Sequence, residues 1–248
     1  MNNVKAIILA AGKGTRMKSP KAKVLHEVLS VPMIHHVLAS LSPLNIMETV
    51  VVTGHQAGKV EASLAGHDVV FARQVEQLGT AHAVLAAREF YQTFGGTVMI
   101  LCGDTPLIRS STLKHMLAEH VDSGSPVTVM STVLTDPANY GRIIVGANNE
   151  VVGIVEEKDA SASQKKIHEI NAGVYCVESS FLCESLGRIG SENSQGEFYL
   201  TDLVGLATAA GYAVNRYLCS DPVEVLGVNS PIELAEAEKE LRLRNSGE

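Results

Sequence analysis

From Val4 to Leu9 the chain is apolar at every position but Lys5, with none of the alternation of a half-exposed strand. Such a run reads as a strand covered on both faces, the state of a central strand in a parallel sheet. Pro32 then stands at a helix start, and Ile34, Val37, Leu38 and Leu41 recur at helical spacing ahead of the strand "TVVVTG". That completes one βαβ unit. The alternation continues through a short helix carrying Val60 and Leu64, the strand "VVFAR", a helix from about Thr80 to Phe94 and the strand "TVMILCGD". Ser110 is the expected cap of the next helix, with Leu113, Met116, Leu117 and Val121 as its inner face.

Near Tyr140 the texture changes. "GRIIVGANNEVVGIVEEKD" holds two apolar runs joined by Ala-Asn-Asn, the mark of a hairpin. "EINAGVYCV", an amphipathic helix near "YLTDLVGLATAAG", the strand "VNRYLC" and a closing helix "SPIELAEAEKELRLRN" follow. The pattern predicts an α/β fold with a doubly wound, mainly parallel sheet and a smaller β-rich part. It is read as one domain over residues 1–248, with a first part over about 1–139, a second over about 140–229 and a terminal helix over about 230–248.

Composition sets outer bounds on this picture. With 248 residues, 46% of them hydrophobic, the chain is long enough to bury a large core. A formal net charge of −7 argues against a duplex nucleic-acid binder, which carries a basic face. Cys102, Cys176, Cys183 and Cys219 show no C-x-x-C pairing and sit in apolar or helical stretches, so buried reduced thiols are expected rather than disulfides or a zinc site. No apolar run approaches the ~18 residues of a membrane span, and no signal core opens the chain, so the expected location is cytoplasmic.

The first strand breaks into "AAGKGTRM". Gly12 and Gly14 are expected to let the backbone turn with positive φ, and exposed amides in such a turn form an anion-binding nest. Lys13 and Arg16 add positive charge, which suits a polyphosphate; the plain alternative is a glycine turn at a strand end. A dinucleotide fingerprint fails because Met17 stands where a third glycine belongs, and a Walker loop fails because a single residue separates the two glycines.

Polar residues cluster where strands end, which is where open α/β sheets bind ligands. Asp104 follows an apolar strand, and is read either as a metal ligand or as a loop cap; Asn229 is its candidate partner toward Mg²⁺, which takes oxygen ligands. The histidines are weaker signals. His35, His36, His115 and His120 lack the spacing of a helical metal pair and are read as structural or surface residues, while His82 is placed just behind the loop that precedes it.

The stretches "LAAGKGTRM", "KVLH", "EQLGTAHA", "GDTPLI", "YGRI", "GIVEEKDA", "EINAGVY", "QGEFYLTDLV" and "EVLGVNS", in this order, give the chain its resemblance to a known family. It resembles, almost end to end, the uridylyltransferase domain of the bacterial N-acetylglucosamine-1-phosphate uridylyltransferases, within the wider sugar-nucleotide pyrophosphorylases. The resemblance implies a Rossmann-like nucleotidyltransferase fold and Mg²⁺-dependent transfer from UTP to N-acetylglucosamine-1-phosphate, giving UDP-N-acetylglucosamine and pyrophosphate. It implies that Leu9, Ala10, Ala11 and Gly12 hold the nucleotide through backbone atoms, that Gln74, Gly79 and Thr80 read uracil, and that Gly103 and Asp104 complete the nucleotide set. Arg16 and Lys23 would meet the phosphates as catalytic residues, and Asp104 and Asn229 would hold the metal. Gly141, Glu156, Asn171 and Asn229 would grip the acetylamino sugar. Relatives have Leu-Pro-Lys before "VLH" where this chain reads "SPKAKVLH", which leaves Lys21 a rival to Lys23.

No partner nucleic acid or membrane is expected. Bifunctional relatives continue into hexapeptide repeats that build a trimer; no such repeat occurs here, so neither a trimerising β-helix nor acetyltransferase activity is expected of this chain. Two rival readings are uridylyl transfer to glucose-1-phosphate and a noncatalytic sugar-nucleotide sensor. The sensor would not need Arg16, Lys23, Asp104 and Asn229 together.

Overall fold

A computed structural model describes residues 3–247. Its strands are β1 (Val4–Ala10), β2 (Glu27–Val28), β3 (Val31–Pro32), β4 (Thr49–Thr53), β5 (Val70–Arg73), β6 (Thr97–Cys102), β7 (Val127–Val133), β8 (Arg142–Val145), β9 (Val151–Val155), β10 (Glu169–Glu178) and β11 (Asn215–Leu218). Its helices are α1 (Met33–Leu41), α2 (Ala57–Ser63), α3 (Thr80–Ala86), α4 (Arg88–Tyr91), α5 (Ser110–Ser123), α6 (Ser179–Ser185), α7 (Asp202–Ala209) and α8 (Pro231–Ser246). Among the described residues no helix is long and apolar enough to cross a membrane.

The main sheet runs β11-β7-β10-β6-β1-β4-β5. β1 lies parallel to both its neighbours, β4 and β6, as the unbroken apolar run predicts. Successive side chains point to opposite faces, so Ile7 packs with Val84, Tyr91, Leu182 and Leu203 on one side. Ala6, Ile8 and Ala10 pack with Ile34, Val37, Val60, Leu113 and Met116 on the other. Fully burying a side chain of this size is worth about 1.5–3 kcal/mol, and here both faces of one strand collect that gain.

The residues after Tyr140 do not make a sheet of their own. β10 is inserted antiparallel between β6 and β7, and the β8–β9 hairpin hangs from β10. β10 carries a register shift between Asn171 and Tyr175, with Gly173 at φ +73°. A bulge of this kind re-aims side chains next to functional sites.

Four local expectations need correction. The helix expected over Thr80–Phe94 breaks at Ala87, where φ is −92° and ψ 9°. The break turns Tyr91 into the core, and its hydroxyl donates to the Val84 carbonyl at 3.2 Å. Ser110 is the first helical residue rather than a cap; instead the buried Glu224 carboxylate accepts from Arg109 N at 3.2 Å and Thr112 Oγ1 at 2.6 Å. A negative charge at a helix N-terminus offsets the unpaired amides and the dipole there. Val121 is 55% exposed, and His120 takes the inner position, bonded to Thr128 Oγ1 at 2.8 Å and Glu178 Oε1 at 3.2 Å. Of the four free cysteines, Cys176 and Cys219 are buried while Cys102 and Cys183 are partly exposed.

α8 begins in a capping box: Ser230 Oγ accepts from Glu233 N at 3.3 Å, and Glu233 Oε2 accepts from Asn229 N at 2.7 Å. Ala237 and Leu234 of this helix pack with Val28, Leu107 and Val228. The terminal helix is thereby tied to the chain around Asp104 and Asn229.

Candidate active site

β1, β4, β5 and β6 run parallel, so their carboxyl ends share one edge of the sheet, and the expected polar residues gather there. In the loop after β1, Gly14 has φ +61°, and a Cβ on it would lie 2.6 Å from Lys23 Cβ. Gly14 is required both by its conformation and by the lysine stem passing over it. Gly12 corrects the expectation of positive φ: it lies outside the left-handed region, and a Cβ there would meet nothing within 4 Å. Its place is open to a ligand. Met17 is buried beneath the short turn Thr15–Met17 and anchors the loop, leaving Arg16 exposed.

Lys23 stands on the next turn, held by buried Val24 and Leu25. Its ammonium contacts Asp104 Oδ2 and lies 3.0 Å from Asn229 Oδ1. The Lys23 and Asp104 side chains are only 17% and 14% exposed, so little solvent screens the pair. Lys21 goes elsewhere, to Glu27 at 2.8 Å on the surface. The backbone explains the meeting: Gly103 N donates to Leu9 O at 2.9 Å, and Val228 N to Asp104 O at 2.9 Å. Asn229 Nδ2 donates to Gly227 O at 2.8 Å, which turns Oδ1 toward the lysine.

Two oxygens therefore converge on one positive charge. A carboxylate and an amide oxygen are hard donors of the type Mg²⁺ takes, and the ammonium already standing between them shows that the place favours a cation. No group of three or more His, Cys, Asp or Glu fit to hold a metal occurs among the described residues. Such a donor pair is too small for an all-protein cage, and suits an ion whose shell is completed by phosphate and water.

Two cavities meet at this point. One, of ≈ 560 Å³, is lined by Leu9, Ala10, Ala11, Gly12, Lys13, Lys23, Gln74, Gly79, Thr80 and Asp104 among others. A second, of ≈ 320 Å³, is lined by Arg16, Tyr140, Gly141, Glu156, Asn171, Thr201 and Asn229, and shares Leu9, Thr80, Cys102 and Asp104 with the first. Gly103 lines neither; a Cβ on it would press on Leu9 O and Val24 at 3.1 Å, so it serves the close approach of β6 to β1. Arg16 lines the second cavity and not the first, whereas Lys13 lines the first.

At the far end of the larger cavity, Gln74 is 4% exposed. Its Nε2 lies 3.0 Å from Gly79 O and 3.0 Å from His82 Nδ1, which puts His82 directly behind it. Gly79, at φ +120°, has no room for a side chain, since a Cβ would lie 2.5 Å from Phe198 O. Phe198 N donates to Leu78 O at 2.8 Å, Ala81 N to Phe198 O at 2.9 Å, and Leu200 N to Thr80 Oγ1 at 2.9 Å. The segment around Phe198 thus fastens the 74–80 loop from outside, and Thr80 spends its hydroxyl in this join. This use of "QGEFYLTDLV" was not readable from its residues, because only the long-range pairing gives it a role.

In the smaller cavity, Asn171 Oδ1 accepts from Gly173 N at 3.0 Å across the bulge and Nδ2 donates to Tyr175 Oη at 2.8 Å. Asn171 N donates to Gly141 O at 2.8 Å. A Cβ on Gly141 would lie 3.3 Å from Glu156 Oε2, so the glycine keeps that carboxylate uncovered. Glu156 accepts from Thr201 Oγ1 at 3.2 Å. Burial pushes its pKa above the ordinary carboxylate value against the opposing Thr201 hydrogen bond, and the charges of Asp159, Asp202 and Glu197 push it further up. Tyr140 is likewise pushed up, mainly by burial. Tyr140, Tyr175 and Thr201 were missed as site residues, although each stood in a stretch that carries the resemblance: Tyr140 in "YGRI", Tyr175 in "EINAGVY" and Thr201 in "QGEFYLTDLV". Cys102 sits where the cavities join, and burial, then the Asp104 charge, raises its thiol to about 12.

Comparison with known proteins fits this geometry. Residues 6–166 match the MobA-like NTP transferase domain. The chain is 51% identical over 247 residues to the bifunctional protein GlmU of Desulfotalea psychrophila, covering 100% of this chain and 73% of that protein. It is 48% identical to GlmU of Syntrophotalea carbinolica and 46% identical to that of Geobacter metallireducens, spanning 51% and 52% of their lengths. In structure it is similar to a putative glucose-1-phosphate thymidylyltransferase from Bacillus anthracis, with a TM-score of 0.78 at 21% identity, over 96% of this chain and 95% of that one. That likeness bears out the mainly parallel α/β fold. The chain belongs to the MobA-like NTP transferase family and is a nucleotidyltransferase related to the uridylyltransferase domain of GlmU.

Proposed function

We propose that this chain transfers a uridylyl group from UTP to N-acetylglucosamine-1-phosphate, releasing pyrophosphate and forming UDP-N-acetylglucosamine. The carrying observation is the pair of cavities joined at Asp104, one of ≈ 560 Å³ with room for a nucleotide and one lined by Glu156, Asn171 and Asn229 for a sugar. A sugar phosphate oxygen attacks the α-phosphorus in line, and pyrophosphate leaves from the opposite side. The attacking group is already an anion, so no general base is needed. The obstacle is repulsion between anions. Lys23, held by Asp104 and Asn229, and Arg16 lower it by placing positive charge where the phosphates meet, and the two cavities supply the alignment. Mg²⁺ held by Asp104 and Asn229 would add further charge neutralisation.

Base selection follows from Gln74. With Nε2 engaged by Gly79 and His82, Oε1 is left as an acceptor at the cavity, which suits uracil N3–H and opposes the lone pair of cytosine N3. A mismatch at a buried polar group costs about 1–3 kcal/mol, so UTP is preferred to CTP by roughly tenfold to a hundredfold. Pyrophosphate release by the purified protein with each nucleotide and sugar phosphate measures this; equal turnover of UTP and CTP sinks the assignment.

Sugar selection follows from Glu156. Its carboxylate is half-buried beside Gly141 with Oε2 free of hydrogen bonds among the described residues, leaving an acceptor for a sugar hydroxyl or amide. Glu156→Ala is expected to raise the Michaelis constant for the sugar phosphate by about tenfold, the scale of one charged hydrogen bond. The constant for UTP changes less. A reversed pattern in steady-state kinetics would place the sugar elsewhere.

A further inference from the structure

We infer that His82 is a positioning residue for base selection: its Nδ1 lone pair locks the Gln74 amide with the oxygen toward the base. The inference rests on the proposal that Gln74 reads uracil, and concerns a side chain that does not line the cavity.

An amide side chain is nearly symmetric in shape, and a half-turn exchanges its donor for its acceptor. What it offers a ligand is decided by what stands behind it. Behind Gln74 stand two groups, Gly79 O and His82 Nδ1, each 3.0 Å from Nε2. Gly79 O is a carbonyl and only accepts, so the amide nitrogen must face it. That nitrogen has two protons, and the second points at His82 Nδ1. Nδ1 must then be the unprotonated ring nitrogen, which fixes His82 as the neutral tautomer with its proton on Nε2.

The rest of Gln74 has little freedom. Its backbone N donates to Thr53 O at 2.8 Å, and Gln77 Nε2 donates to its carbonyl at 3.0 Å. With the residue 4% exposed, a turned amide would set oxygen against the Gly79 oxygen with little solvent to screen the contact. His82 is itself held from one side by Phe198, whose ring centroid lies 6.3 Å from that of the imidazole. The base preference is thus written one layer behind the cavity wall. Losing the imidazole leaves one Gln74 proton unpaired and weakens the bias between the two amide orientations.

The test is the ratio of kcat/KM for UTP to that for CTP in the wild-type protein, His82→Leu and His82→Asn. Leucine removes the acceptor, and the ratio is expected to fall by about tenfold, the scale of one hydrogen-bond mismatch. Asparagine carries an acceptor oxygen close to the place of Nδ1 and is expected to restore most of the ratio. A role in folding alone would lower both nucleotides together and leave the ratio unmoved, and that result overturns the inference. Nitrogen NMR of the wild-type imidazole gives a second readout that needs no variant: His82 is expected as the Nε2–H tautomer, and a proton on Nδ1 overturns the inference. A wild-type protein that takes UTP and CTP equally would instead remove the uridine reading on which this rests.

Discussion

Arg16→Ala is expected to lower turnover by about a hundredfold or more, the scale on which one preorganised charge donor acts, while the Michaelis constant for UTP moves far less. Arg16 is exposed, makes no ion pair among the described residues, and lines the smaller cavity on the side facing Tyr140 and Glu156. A cation with no protein partner is free to meet a phosphate. Its backbone is held firmly by buried Met17 and by Gly14 and Lys18, both in the left-handed region. The side chain is thus delivered from a fixed turn, and its guanidinium has no protein partner among the described residues to give up when a phosphate arrives.

Lys13 is the internal control. It lines the larger cavity while remaining exposed. Ground-state binding of the triphosphate is the contribution that this position supports, so Lys13→Ala is expected to act mainly on the Michaelis constant for UTP and much less on turnover. Steady-state kinetics on the two variants separates the roles. Normal turnover in Arg16→Ala would reduce the loop to a structural turn.

Legibility in the sequence followed the range of the interaction. β1 was readable because burial on two faces leaves a continuous apolar run, whereas the choice between Lys21 and Lys23 stayed open until the contacts with Glu27 and Asp104 separated them. The break at Ala87 was not readable, since nothing in Thr80–Phe94 forbids a helix; the gain lies in burying Tyr91 against residues of another layer. Nor was the N-terminus of α5, where the cap arrives from Glu224, more than a hundred positions away, in place of the adjacent Ser110. His120 shows the same limit, for its inward position follows helical spacing but needs Thr128 and Glu178 to satisfy its nitrogens. At the site itself, residue types that make chemistry were visible. The groups that orient them, His82 behind Gln74 and Phe198 behind Gly79, have no local signature.

Asp104→Asn is expected to cost turnover a hundredfold or more, and to cost more than Asn229→Ala, because it removes a charge instead of a neutral oxygen. The substitution keeps the shape at the end of β6 and can keep the backbone bond from Val228 N to Asp104 O at 2.9 Å. What it takes away is the anion that holds the Lys23 ammonium at the seam of the two cavities. Lys23 is left with neutral amide oxygens alone, that of the new asparagine and Asn229 Oδ1 at 3.0 Å, and its charge is no longer balanced at the seam. The same geometry predicts that Mg²⁺ binds poorly to the protein alone. A second cation near Asp104 Oδ2 meets the lysine at close range, and at such distances repulsion between like charges is severe even with partial screening. A triphosphate gives that lysine another anion to hold and brings oxygens of its own, so calorimetry is expected to find tight Mg²⁺ binding only with UTP or product present. A chelator should stop turnover without moving the thermal unfolding temperature. The deciding measurement is turnover of Asp104→Asn across a Mg²⁺ titration, beside Asn229→Ala. Wild-type activity at ordinary Mg²⁺ in the aspartate variant would leave Asp104 a loop cap and take the charge balance at the seam out of the mechanism.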